Sequence, residues 1–296
     1  MNTKNILKRI LFGVLGLVVL LIVLVVVYST YFRRVMLSDS VPEIEMQREA
    51  KVLTAFFGLQ ELPMQSLMLY WKGPGKSGMP VVFSQEVDPT TLDNSDFEVI
   101  TADGKSHEVE FVTLKPANEP FELRTVLLIG NYGTHPDNPP LRVNIVGDLK
   151  SRSGQQYLGQ SVAAIPLPDG PTISYSEYFV FDEDYPYVKS GAGCDCPREG
   201  TNMVVRAVWA GGIRALNGKD PGEAELDAFR VTMVQQGDTV EVKPYAFGDL
   251  KDGDNNLDLC LKETGVPIKV RAAANTVMDP RDDPNPETEQ TVLSRW

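Results

Sequence analysis

The chain changes its hydrophobic pattern twice along its length. From Ile10 to Val27 it is apolar without a break, with only Gly13 and Gly16 as small residues. Eighteen residues rise about 27 Å as a helix, close to the ~30 Å hydrocarbon core of a bilayer. Tyr28, Tyr31 and Phe32 follow where an interfacial aromatic belt belongs. Lys4, Lys8 and Arg9 precede the run, and Arg33 and Arg34 follow it. A cleaved signal peptide has a shorter apolar core, of about 7–15 residues, and a small-residue cleavage site. The only passable site here is Val27-Tyr28-Ser29, and no cysteine follows for a lipoprotein anchor. The expectation is an uncleaved single-pass signal anchor within residues 1–37. Three basic residues and the amino terminus lie before the span and two basic residues after it, which favours a cytoplasmic N-terminus. The bulk of the chain is then extracytoplasmic, in periplasm or at the cell surface in a bacterium.

The second regime is helical. Ser40 as an N-cap, Pro42 and Glu43 in a first turn and Gly58 as a C-cap predict a helix from Pro42 to Phe57. With the loop Gly73-Pro74-Gly75-Lys76-Ser77-Gly78 it makes residues 38–78 a juxtamembrane helix and linker. That loop lacks the G-x-x-x-x-G-K-[ST] spacing of a phosphate-binding loop.

From Met79 short β-branched runs alternate with turn residues. Strands are predicted at 81–83, 97–100, 109–112, 126–129 and 141–146, separated by Asp88-Pro89, Asp103-Gly104 and Asn138-Pro139-Pro140. This spacing predicts an antiparallel sandwich over residues 79–165. The segment Val82-Phe83-Ser84-Gln85-Glu86-Val87-Asp88 with Thr91-Leu92 resembles the F-S-x-x-v-D-x-x-T-L opening of bacterial Ig-like modules of surface and secreted proteins. The resemblance implies a spacer, adhesive or interaction module and carries no catalytic residue. Pro166, Pro168, Gly170 and Pro171 predict a linker over 166–171. A second β-rich domain follows over 172–296, with strands at 178–181, 203–209, 229–234, 239–242, 257–261 and 268–271. It resembles uncharacterised bacterial exported proteins, a likeness that implies no function. The fold class is therefore all-β: an N-terminal transmembrane helix and two antiparallel β-sandwich (Ig-like) domains.

Charge narrows the partners. The chain has 28 basic and 40 acidic residues. Residues 1–37 hold five of the bases and no acid, so the exported part carries a net charge of −17. This argues against nucleic acid and against an anionic lipid face as main partner. The partners expected are the bilayer, through one helix, and an envelope protein or glycan.

Three cysteines and two histidines limit the chemistry. Cys260 lies on a predicted strand, and Cys194-Asp195-Cys196 lies in a Gly-rich loop. A disulfide from Cys260 to Cys196, or alternatively to Cys194, is expected in an oxidising compartment; a redox pair or soft-metal site is the competing reading. Asp252, Asp254, Asn256, Asp258 and Glu263 occupy positions 1, 3, 5, 7 and 12 of an EF-hand-like loop, a ligand set for calcium. Leu257 stands where the sharp turn of such a loop has glycine, and a solvated acidic turn explains the same residues. Calcium is the one cofactor that the sequence raises. Local signatures of hydrolases, metalloproteases and dinucleotide binding are missing. His107 and His135 are placed at the surface. Tyr175, Tyr178, Tyr185 and Tyr187 fit either a carbohydrate-stacking strip or core-facing strand residues, and the second is preferred. The leading function is membrane-anchored binding or scaffolding in the cell envelope without catalysis. The alternatives are an envelope carbohydrate hydrolase using a carboxylate pair in the second domain, and a calcium-stabilised adhesion module.

Overall fold

The computed structural model describes residues 3–32 (side chains from 8 to 26), 37–38, 40–117, 119–182, 194–248, 250 and 253–296. The chain divides into two units, Met1–Val35 and Met36–Trp296. The first contains one helix, α1 (Thr3–Phe32). Its stretch Lys8–Val26 is long and apolar enough to cross a membrane, and none of it is buried by protein. Such a helix is of signal or anchor type. The side chains of Tyr28, Tyr31, Phe32, Arg33 and Arg34 lie outside the described residues.

The second unit is mostly β. The helix expected from Pro42 to Phe57 is only a short turn, α2 (Glu43–Gln47), and is followed by strand β1 (Val52–Phe56). Apolar residues at 52, 53, 56 and 57 fit either period over so short a run, and β-branched Val52 and Thr54 suit the strand. Gly58 ends no helix; a Cβ there would stand 2.8 Å from the Phe56 ring.

That strand changes the architecture. β2 (Ser77–Phe83), β3 (Phe97–Thr101), β4 (Ser106–Thr113), β5 (Thr125–Gly130), β6 (Pro140–Ile145) and β7 (Ser161–Ile165) pair in the order β1-β2-β5-β4-β3-β6-β7. β1 pairs antiparallel with β2 and parallel with β7, so the sheet closes into a seven-stranded barrel. The open Ig-like sandwich expected for residues 79–165 lacks this closing strand. Met79, Val81 and Phe83 alternate with Pro80 and Val82 along β2, and Val82 packs outward on Tyr175 and Val208.

The remaining strands form open sheets. One has five strands in the order β13-β14-β9-β8-β18: Ala246–Gly248, Asn256–Leu261, Met203–Trp209, Ile173–Val180 and Leu293–Ser294. The other has four, β12-β11-β15-β17: Asp238–Val242, Phe229–Gln235, Val266–Ala272 and Thr288–Thr291. A two-stranded ribbon joins β10 (Arg214–Ala215) to β16 (Val277–Met278). Val205, Ala207, Leu257, Leu259 and Leu261 of the larger sheet pack on Phe229, Val231, Met233 and Val270 of the smaller. All residues of β9 and of β14 are buried, because the barrel covers the other face of the five-stranded sheet. Residues 166–171 connect β7 to β8, and Leu167, Gly170 and Pro171 among them are buried.

Cys196 and Cys260 form a disulfide, which fixes the partner left open by the sequence. Cys194 is a buried free thiol, and burial pushes its pKa well up, which keeps it protonated and poorly nucleophilic. The bridge joins residues 64 positions apart. Cys196→Ser is expected to lower unfolding stability by about 2–4 kcal/mol in a denaturant titration. Reduction of the wild type should reproduce that loss.

Candidate functional site

Two features meet where the barrel packs on the five-stranded sheet: a buried charged cluster and an apolar cleft beside it. The cluster begins with register. Glu177 on β8 and Asp258 on β14 both stand opposite Arg206 on β9, so the three share one face of the sheet. Arg206 donates from Nε and Nη2 to the two carboxylate oxygens of Asp258, at 2.8 and 2.9 Å. Arg295, just beyond β18, places Nε and Nη2 at 2.9 and 2.7 Å from Glu177 Oε1. Tyr175 donates its hydroxyl to Glu177 Oε2 at 3.1 Å.

The barrel supplies the rest from the segment that leads into β5. Arg124 lies 3.5 Å from Glu177, donates to the Ser84 carbonyl at 2.8 Å and stacks 4.2 Å over the Tyr175 ring. Glu122 Oε1 lies 2.9 Å from Arg206 Nη1, a charge contact poorly angled for a hydrogen bond. Phe121 packs between the Arg295 guanidinium and the Trp296 ring. Its backbone is held at φ 69°, an uncommon conformation for a bulky residue that this packing maintains. Arg124, Arg206 and Arg295 are all among the fully buried side chains.

Burial penalises every charge here, and the local partners decide the outcome. For Glu177 burial is outweighed by Arg295, Arg124 and Arg206, and its pKa falls from 4.5 to about 2. For Glu122 burial prevails: Arg206 lowers its pKa, but Asp254, Glu119 and Asp258 raise it, and it ends well above 4.5. Asp258 already occupies the Arg206 fork, so Glu122 faces a largely neutralised cation.

The candidate calcium residues are divided among other roles. Asp258 is held by Arg206. Asp254 accepts from the backbone N–H and the side-chain amide of Asn256, at 2.7 and 2.6 Å. Glu263 stands half-buried past the end of β14, and Asp252, like its neighbour Asp249, lies outside the described residues. Among the described residues no three of His, Cys, Asp and Glu stand together as a metal site would need. His135 is exposed, and His107 is half-buried with Nε2 3.1 Å from Thr101 Oγ1. Tyr175 is buried and Tyr178 packs against the sandwich core; Tyr185 and Tyr187 lie outside the described residues.

Sequence reasoning passed over Arg206, Glu177, Arg124 and Arg295. A signal was present for two of them: Glu177 and Arg206, like Asp258, each stand inside a strand with no other charged residue. A half-buried strand does not place charge there unless the partner strand carries its complement.

The cleft lies between the barrel and the loops flanking the five-stranded sheet. Its volume is about 150 Å³, with Phe56, Pro80, Leu114 and Leu127 on the barrel wall and Gly211 and Gly212 opposite. Lys115 lines it too.

No family model and no characterised protein sequence matches the chain. Solved structures of the bacterial S-layer protein SbsC show a distant likeness. Its N-terminal part is 13% identical, covering 74% of this chain and 45% of that one at a TM-score of 0.29. Its domains 1–6 are 10% identical, covering 84% and 42% at 0.29. The chain thus spans less than half the length of either, and at that TM-score the likeness carries no fold or role to this chain.

Arg206→Met is expected to lower stability by about 3–5 kcal/mol, because it leaves Asp258 buried and uncompensated. Calorimetry or denaturant titration checks this.

The pH dependence follows from the two glutamates. The depressed pKa of Glu177 gives stability that is complete above about pH 4.5 and is lost as pH falls through about 2. The raised pKa of Glu122 acts oppositely: its contribution is complete below about pH 4.5 and is lost as pH rises. Glu122→Gln should therefore gain on the wild type as pH rises from about 4.5, measured by urea midpoints across pH.

Proposed function

We propose that the protein is an uncleaved, single-pass, membrane-anchored binding or scaffolding protein of the cell envelope. One observation carries this reading: a fully exposed apolar helix precedes a disulfide-bridged β unit in which the interior acids Glu177 and Asp258 are paired with arginines. The exposed apolar surface of the helix needs a membrane. The disulfide suits an oxidising compartment outside the cytoplasm. A carbohydrate hydrolase needs two carboxylates converging on an open cleft. Two of the buried carboxylates, Glu177 and Asp258, are instead held by Arg295, Arg124 and Arg206.

Fractionation of the producing cell tests the anchor. The mature protein is expected to keep residues 1–37, to stay in the membrane pellet after an alkaline wash and to contain linked Cys196–Cys260 peptides. A soluble product beginning near Thr30 would contradict the anchor. Turnover of envelope glycan by the purified full-length chain would contradict the binding role.

A further inference from the structure

Among the described residues of the β unit, the three most exposed large apolar side chains stand on one turn of the barrel. Trp71 is 69% exposed, Met64 67% and Met68 58%, and Leu67 stands beside them at 47%. The turn begins with Met64–Met68 and lies between β1 and β2. It is fixed from beneath. Leu62 donates to the Lys76 carbonyl and accepts from the Gly75 N–H, at 2.7 and 2.9 Å, and Tyr70 stacks on Phe111 at 4.7 Å. Apolar exposure gathered on a fixed turn marks an interaction site, unlike apolar residues scattered singly over a surface.

The charge around the turn is unlike that of the rest of the exported part. The chain has 40 acidic residues, yet none lies between Leu62 and Gln85, where the only charges are Lys72 and Lys76. Lys76 is paired with Glu110 at 2.7 Å. The Lys72 ammonium stands 4.7 Å over the Trp71 ring. An indole flanked by Met and Leu, with an ammonium on its face, matches the layer between headgroups and acyl chains. Aromatic rings settle there while a lysine keeps its charge in water.

The length of the tether allows that contact. Ser38 is held at the Phe83 end of β2, where Arg152 donates to its carbonyl at 2.8 Å and pairs with Glu86 at 2.8 Å. The turn lies at the Ser77 end, where Gly78 donates to the Leu59 carbonyl at 2.8 Å. The seven residues of β2 rise about 23 Å. Residues 27–37 join the apolar stretch to Ser38, and with those up to Phe32 helical they still reach about 25 Å. Either end of the barrel can therefore meet the bilayer.

We propose that the turn carrying Met64, Leu67, Met68 and Trp71 inserts into the interfacial layer of the bilayer that holds the apolar helix, as a second and reversible attachment of the barrel. This rests on the anchored role above. Tethering makes the second contact intramolecular, so a few side chains suffice where they would bind a vesicle only weakly from solution. The contact is apolar and needs no anionic lipid.

The test uses the full-length chain, one copy per nanodisc, in phosphatidylcholine or in the same lipid brominated on its acyl chains, and reads tryptophan fluorescence. The difference between wild type and Trp71→Phe isolates Trp71 from Trp209 and Trp296. Brominated lipid is expected to quench the Trp71 emission about twofold or more. Met64→Ser combined with Met68→Ser, both at exposed positions, should keep the unfolding midpoint and remove most of the quenching. Added phosphatidylglycerol should leave it nearly unchanged. The proposal is overturned if Trp71 is not quenched, if the double variant is quenched like the wild type, or if quenching requires the anionic lipid. A Trp71 that is blue-shifted without quenching, and only in discs holding two copies, also overturns it and gives the turn to a second copy of the chain. Failure with the chain retained in the discs overturns this contact alone and leaves the anchor standing. A chain that does not enter the discs overturns the anchor and this inference with it.

Discussion

A guanidinium in the middle of a β-sheet covered on both faces has lost its water and must find its partners within the protein. Arg206 is in that position, and its demands extend outward. Asp258 from β14 fills its fork, and Glu177 from β8 faces it across the other strand pair. Glu177 in turn fixes Arg295 at the end of the chain and draws Arg124 from the barrel. The charged row thus sets the register of three strands and ties both β modules together. Removing any one member leaves others uncompensated in a low-dielectric interior, which is why the cluster acts as a unit.

The same constraint explains what the sequence disclosed. The strands over 97–100, 126–129, 203–209, 229–234 and 257–261 are visible because β-branched and apolar residues recur between Gly, Pro and Asn turns. The apolar run from Ile10 is visible because no soluble strand needs 18 apolar residues in succession. The strand over Val52–Phe56 was hidden: five residues hold too little pattern to tell period 2 from period 3.6. Barrel closure depends on that strand, so it was hidden with it.

The acidic loop shows the limit in chemical terms. Alternate oxygen ligands from Asp252 to Asp258 are also alternate residues of a strand entry, and a period of 2 serves both. The difference lies in Arg206, 52 residues away in sequence from Asp258, which spacing within the loop cannot reveal. The cleft is still less legible: its walls come from residues 56, 58, 59, 78, 80, 114–117, 125, 127, 211–212, 253–255 and 280, which only the docked modules bring together.

The central claim is that charge across the junction makes barrel and sandwich one unit. A double-mutant cycle on Arg124→Met and Glu177→Gln, read by equilibrium unfolding at neutral pH, tests it most directly. The account predicts strong non-additivity, with the double variant recovering about 1 kcal/mol or more relative to the sum of the single losses. Additive losses within about 0.3–0.5 kcal/mol would contradict it.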